Sequence, residues 1–164
     1  MAHSSLAIAN EFIRRGLARG RSGGLTQMQV QKLVYLAHAW ALAGLDQPLI
    51  EDPVEAWKFG PVIRKLYAAL SRYGRDKISR EICWGEDTIF FSGDDGDVAY
   101  EDLTPLETSI VEAIWDIYGK YPAFKLSALT HEPDSPWSKT YDERTNRVIP
   151  EPLIKEYFKE KLAA

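Results

Sequence analysis

The fold is decided by residues 26–43, which read TQMQVQKLVYLAHAWALA. Thr26 and Gln29 have the spacing of a capping box, in which each side chain bonds the other residue's backbone N–H at a helix start. The apolar face of the predicted helix carries Leu33, Leu36, Ala37, Trp40 and Ala41. A second, polar and aromatic face carries Gln27, Gln31, Tyr35 and His38. The stretch therefore predicts a long central helix with two different faces.

Two further helices are predicted beside this one. Residues 4–20 begin with serines that can cap a helix, and a glycine-rich segment ends their helical apolar spacing. On the other side, residues 57–61 read WKFGP and precede another run with helical spacing. Because proline suits the first position of a helix, we predict a helix that begins at Pro61 and ends near Gly74.

Residues 82–103 have a different pattern. Segments 88–91 and 98–100 are short β-prone runs, and the acidic, glycine-containing segment 92–97 separates them. This pattern predicts a small β-hairpin near residues 88–100 with a loose acidic tip.

The rest of the chain has helical patterns. Thr104 and Glu107 repeat the capping box, and Pro105 lies between them at the first helical position. We predict a mainly α (α+β) fold of about six helices and one hairpin. A length of 164 residues with 45% apolar content fits one compact domain over residues 1–164. Its expected parts are an N-terminal helix at 4–20, a core at 25–74, the hairpin at 82–103 and C-terminal helices at 104–164.

Cysteine content and hydropathy indicate the compartment. Cys83 is the only cysteine, so an internal disulfide and a thiolate zinc site are both excluded. The most apolar stretch, residues 33–45, is shorter than the about 20 residues that span a bilayer. The first residues also lack the pattern of a secretion signal. We predict a soluble, cytoplasmic protein with no membrane partner.

No catalytic constellation is visible in the sequence. His3, His38 and His131 are scattered, and no nucleophile stands at a spacing typical of a hydrolase. His131 and Glu132 lack a third metal ligand at a defined spacing. We therefore predict a protein that is not an enzyme, with no metal and no cofactor.

Charge is segregated along the chain. Residues 58–80 contain seven basic residues and one acidic residue, whereas residues 85–102 contain seven acidic residues and no basic one. Two interpretations are open: a surface that steers a charged partner, or a solvated face whose halves neutralise each other. The basic region also allows an alternative function as a DNA-binding transcriptional regulator, although no scaffold for entry into a DNA groove is evident.

Three segments form a recognisable pattern. They are QKLVYLAHAW at residues 31–40, PVEAWKFGPV at residues 53–62, and the Pro136-Trp137 pair that follows His131. Their sequence and order resemble the Panacea-domain family of bacterial and phage proteins, with its GepA-like and SocA-like members. The resemblance extends from about residue 25 to residue 158.

The resemblance implies an antitoxin of a toxin-antitoxin system that binds and neutralises a cognate protein toxin. Likeness to SocA-like members further implies a proteolytic adaptor that delivers the toxin to the ClpXP protease. Because binding surfaces favour aromatic and basic groups, we expect the partner surface to contain Tyr35, His38, Lys58, Phe59, Arg64, Tyr67 and Arg72. We expect scaffold roles for Trp40, Trp57, Gly60, Pro61 and Trp137, while Lys58 suits either role.

The last three residues of the sequence are Leu162, Ala163 and Ala164. A Leu-Ala-Ala end resembles the tag that ClpXP recognises on its substrates, so these residues are candidates for protease recognition. The alternative is an ordinary fraying helix end.

Overall fold

The computed structural model describes residues 2–20, 23–91 and 96–164. Within these ranges the chain is mainly helical, with a small antiparallel sheet, which confirms the predicted fold class. In chain order the elements are α1 (Ser5–Leu17), α2 (Gln27–Leu45), β1 (Val54–Trp57), β2 (Gly60–Ile63), α3 (Arg64–Leu70), α4 (Pro105–Tyr118), α5 (Ala123–Thr130), α6 (Pro136–Thr140), β3 (Arg147–Val148) and α7 (Glu151–Ala163).

Both predicted capping boxes are confirmed. The Thr26 hydroxyl accepts the Gln29 N–H at 3.4 Å, and the Gln29 side-chain oxygen accepts the Thr26 N–H at 2.8 Å. Thr104 and Glu107 make the same two hydrogen bonds, at 3.2 and 2.9 Å. These pairs satisfy backbone N–H groups that have no partner within the helix, so α2 and α4 begin where the spacing predicts.

Helix α2 lies at the centre of the fold. It packs against α1, α4, α5, α7 and β2, and every residue from Val30 to Ala39 is buried. Neighbouring elements therefore cover the predicted polar and aromatic face as well, except at its start, where Gln27 is half-buried. Gln31, Lys32, Tyr35 and His38 all lie inside the protein.

The sheet has the strand order β2-β1-β3, and Trp57 pairs with Gly60 across a two-residue turn. The prediction of a helix beginning at Pro61 is wrong, since Pro61 lies in β2 and α3 begins at Arg64. Gln31 explains the difference. Its side chain accepts the Ile63 N–H at 2.9 Å and donates to the Ile63 oxygen at 3.0 Å, which holds this backbone extended.

The predicted hairpin near residues 88–100 is also wrong. Residues 88–90 lie in turns and bends, and the pairing is displaced toward the N-terminus, to one bridge between Cys83 and Val98. Residues 92–95 of the expected tip lie outside the described residues.

Asn10 of α1 provides the physical reason for this displacement. Its amide nitrogen donates to the oxygens of Ile82 and Ala99, both at 2.8 Å, and its oxygen accepts the Ile82 N–H at 2.7 Å. A buried asparagine that bonds both segments of the chain fixes which residues pair, although it lies outside those segments. The β-propensity of the segments themselves therefore cannot predict this register.

No helix within the described ranges is both long and apolar enough to cross a membrane.

Candidate functional site

The turn between β1 and β2 borders a groove of about 730 Å³, called here the β1–β2 groove. Its walls come from the start of α2, the two strands, α3 and the segment after it. The lining residues are Thr26, Gln27, Met28, Gln31, Trp57, Lys58, Phe59, Val62, Tyr67, Gly74, Arg75, Ala123 and Asn146.

The outer half of the turn presents aromatic and cationic groups to solvent. Phe59 is 63% exposed, and the Lys58 ammonium lies 5.5 Å from the centre of its ring. Tyr67 is 45% exposed and packs on Trp57, with their ring centres 5.0 Å apart. Lys58, Phe59 and Tyr67 are thus the predicted partner-binding residues that the structure brings together. Exposed aromatic groups beside a cation are typical of binding hot spots.

The inner half of the turn is buried against Lys32. Gly60 has a φ of +119°, and a Cβ at this position would lie 2.9 Å from the Lys32 Nζ and 3.0 Å from His131. The Lys32 ammonium donates to the Pro61 oxygen at 2.8 Å. Only glycine fits both this backbone and this close approach.

Lys32 holds the inner half of the turn that carries the candidate binding residues, a role that sequence reasoning missed. It is fully buried, and no carboxylate of the described residues pairs with it. Burial lowers its pKa to about 7, because a charge removed from water is costly. The available signal was its place inside a predicted helix in which most neighbouring residues are apolar, between Val30 and Leu33.

Trp137 ties the turn to the C-terminal part of the chain. Its indole N–H donates to the Trp57 oxygen at 2.6 Å, and its ring lies 4.4 Å from that of His131. Trp40 packs edge-on against Phe158 at 5.2 Å. These contacts, together with those of Gly60, support the scaffold roles expected for the motif residues.

Tyr35 and His38 do not belong to this surface. They are 2% and 1% exposed, so their expected contact with a partner is wrong. His38 Nδ1 accepts the backbone N–H groups of Leu49 and Ile50, at 3.2 and 3.3 Å, and burial lowers the pKa of His38 to about 4. Burial raises the pKa of Tyr35. Both side chains are neutral core groups at physiological pH.

Arg64 and Arg72 point to carboxylates and do not line the groove. Arg64 binds Glu55 through two hydrogen bonds of 3.0 and 2.8 Å. Burial raises the pKa of Glu55, but hydrogen bonds from Arg64 and Trp57 hold it below its usual value. Arg72 contacts Glu86 at 2.9 Å.

Two other residues of the basic region also contact carboxylates, and one of them shares Glu86 with Arg72. Arg80 contacts Glu86 at 2.6 Å, and Lys65 lies 3.8 Å from Asp52. Glu86 belongs to the acidic segment, so part of the charge segregation along the chain becomes ion pairing in space. These contacts favour the solvated-face interpretation and remove positive charge that DNA phosphates would need.

Two further expectations concern residues outside the groove. Leu162 at the end of α7 is 54% exposed, and Ala163 and Ala164 are exposed beside it. Within the described parts of the chain, no group of three or more His, Cys, Asp and Glu residues is arranged to hold a metal ion.

Comparisons with known proteins identify the family to which the chain is similar. The family model described as "Antitoxin SocA-like, Panacea domain" matches residues 30–138. Over 118 residues the chain is 30% identical to Antitoxin SocA of Caulobacter vibrioides (strain NA1000 / CB15N). This similarity covers 69% of the chain and 58% of that protein, so the chain spans little more than half the length of the relative. No solved structure gives a significant match.

Proposed function

The chain belongs to the SocA-like antitoxin family with a Panacea domain, and from this premise we propose that it binds a cognate protein toxin and neutralises it. The observation that carries the proposal is the exposed aromatic and cationic turn, Lys58 and Phe59, on a buried scaffold. Such a role requires binding and no catalysis. It also implies a cytoplasmic location, with residues 1–164 acting as one Panacea-like domain.

Anchoring of the flanking backbone supports a binding role for the outer half of the turn. Gly60 and Pro61 are fixed against Lys32, and the Trp57 oxygen is fixed by Trp137. The backbone on both sides of Lys58 and Phe59 is therefore anchored before a partner arrives. A group that is already ordered loses less conformational entropy on binding, so more of its contact energy contributes to affinity.

Co-expression tests the proposal. The product of the neighbouring gene is expressed alone and together with this chain, and growth is measured. We expect growth inhibition by the neighbour alone, its relief by the wild-type chain, and a stable complex of the two proteins. Growth inhibition that the wild-type chain leaves unchanged would contradict an antitoxin role.

A matched pair of variants locates the binding surface. Phe59→Ala removes the exposed ring of the turn, whereas Leu106→Ala removes an equally exposed apolar side chain from α4, 64% exposed and outside the groove. We expect the first variant to lose rescue and the second to retain it. Equal rescue by both would place the toxin surface elsewhere.

A finer proposal is delivery of the toxin to ClpXP. Leu162, Ala163 and Ala164 are exposed and do not line the groove, so a protease could contact them while the toxin occupies the groove. With purified ClpXP, toxin turnover should depend on this chain, and Leu162→Asp should slow it. Turnover that does not require the chain would leave sequestration as the mechanism.

A further inference from the structure

The β1–β2 groove concentrates positive charge in a chain whose net charge is −4. Arg64, Lys65, Arg72 and Arg80 of the basic region all contact carboxylates. Lys58 and Arg75 instead pair with no carboxylate of the described residues, and both line the groove. No acidic residue lies among the lining residues. The groove therefore offers two unneutralised cations to a ligand.

The remaining recognition surface is apolar. Three of the polar lining side chains already have partners within the chain: Gln27 donates to the Gly74 oxygen at 2.9 Å, Thr26 caps α2, and Gln31 bonds Ile63. The walls come from Met28, Trp57, Phe59, Val62 and Tyr67. A volume of about 730 Å³ lies within the range of about 300–1,000 Å³ that ligand pockets occupy, large enough for a side chain with its flanking backbone.

We propose that the groove binds a segment of the toxin in which a large apolar side chain is flanked by carboxylates. The apolar side chain packs against Trp57 and Phe59, and the carboxylates pair with Lys58 and Arg75. Arginine suits this role because its guanidinium can bond both oxygens of a carboxylate. The inference rests on the proposed function and adds the chemistry of the partner. Acidic surfaces elsewhere on this protein would repel an acidic segment, so the cations of the groove direct it to this site.

Titration of the full, isotope-labelled chain with blocked peptides, followed by NMR, tests this inference. The probe is Asp-Asp-Phe-Asp-Asp, and the matched peptides are Lys-Lys-Phe-Lys-Lys and Asp-Asp-Ala-Asp-Asp. We expect the probe to shift the amide signals of Lys58, Phe59 and Arg75. Each matched peptide should bind at least about tenfold more weakly, and added salt should weaken binding of the probe.

A charge-swapped protein makes the test independent of folding losses. Lys58→Glu combined with Arg75→Glu changes two exposed side chains, and Lys139→Glu is the control at an exposed lysine outside the groove. The double variant should lose about tenfold in affinity for the acidic probe and gain affinity for the basic peptide. The control should bind all three peptides as the wild type does.

In the peptide titrations, the results that would overturn the inference are equal affinity for the three peptides, shifts confined to residues outside the groove, and unchanged specificity of the double variant. Amide signals of the groove that shift as the protein concentration rises, without peptide, and that no longer shift in Phe90→Asp would show that a second copy of the chain occupies the groove. That result would overturn the toxin as its occupant. Phe90 is chosen because its ring is 88% exposed and is therefore available to a groove on a second copy. Growth rescue without peptide binding contradicts this inference alone, whereas peptide binding without growth rescue contradicts the proposed function.

Discussion

The two halves of the turn at residues 57–61 face opposite environments. Lys58 and Phe59 are exposed on the wall of the β1–β2 groove, while Gly60 and Pro61 are buried against the ammonium of Lys32. One short motif thus combines a binding surface with the packing that fixes its shape. The difference implies that substitutions in the inner half change stability, whereas substitutions in the outer half change binding.

Gly60→Ala is the strongest test of the inner half. The added methyl group would meet Lys32 and His131 at a backbone φ of +119°, where a side chain is strained. We expect the free energy of unfolding to fall by about 3 kcal/mol, as measured by urea denaturation.

Gly44→Ala is the matched control for Gly60. Gly44 lies in α2, and no atom lies near its added Cβ. This substitution should stabilise the protein by about 0.5–1 kcal/mol through helix propensity. If Gly60→Ala lowered the free energy of unfolding no more than a substitution at an exposed surface position does, Gly60 would not belong to the packing that fixes the turn.

Burial of Lys32 should make the stability of the protein depend on pH. The pKa of Lys32 is about 7 when folded, below the value of 10.5 expected when unfolded. Between these values the unfolded chain binds the extra proton, so the free energy of unfolding should rise with pH. We expect a gain on the order of 2 kcal/mol between about pH 7 and pH 9.5, relative to Lys32→Met.

Lys58→Met serves as the control for this profile. Lys58 is exposed, so its removal should leave the pH dependence of the wild type intact. Denaturation curves at a series of pH values compare the three proteins. Parallel profiles for the wild type and Lys32→Met would show that the buried lysine remains charged in the folded protein.

Trp137→Phe should produce a smaller effect. The substitution keeps an aromatic ring beside His131 but removes the donor to the Trp57 oxygen. The expected loss of stability is about 1 kcal/mol, typical of one hydrogen bond. Trp84→Phe, at a half-exposed tryptophan outside the turn, should cost less, and an equal cost at both sites would remove the special role of Trp137.

The smallest effect on stability is expected in the outer half. Phe59 is 63% exposed, so Phe59→Ala should change the free energy of unfolding by less than about 0.5 kcal/mol. Binding of the acidic peptide should nevertheless fall about tenfold, because the ring forms a wall of the groove. Calorimetry and the peptide titration measure the two effects separately, and a large loss of stability would erase the contrast between the halves.

Helix starts were predictable because their determinants lie within four residues. Thr26 with Gln29 and Thr104 with Glu107 satisfy backbone groups of their own helix, so spacing alone places α2 and α4. The aromatic and cationic character of Lys58 and Phe59 was also readable. Their turn, however, connects two strands, whereas the proline at residue 61 had indicated a helix.

The displaced pairing near residue 83 and the strand at residues 60–63 depend on side chains distant in sequence. Asn10 holds Ile82 and Ala99, and Gln31 holds Ile63. A hydrogen bond of this kind changes the conformation of a segment whose own residues do not predict the bond. Local β-propensity and the proline rule both failed at these places for that reason.

Local spacing therefore determined which segments are helical, where the long helices begin and which family the motifs resemble, since these properties depend on neighbouring residues. Tertiary structure alone decided that Tyr35, His38 and Lys32 are buried. It also decided that four cations of the basic region meet carboxylates while Lys58 and Arg75 line one groove. Burial and charge pairing depend on which elements pack against one another, and distances along the chain do not contain that information.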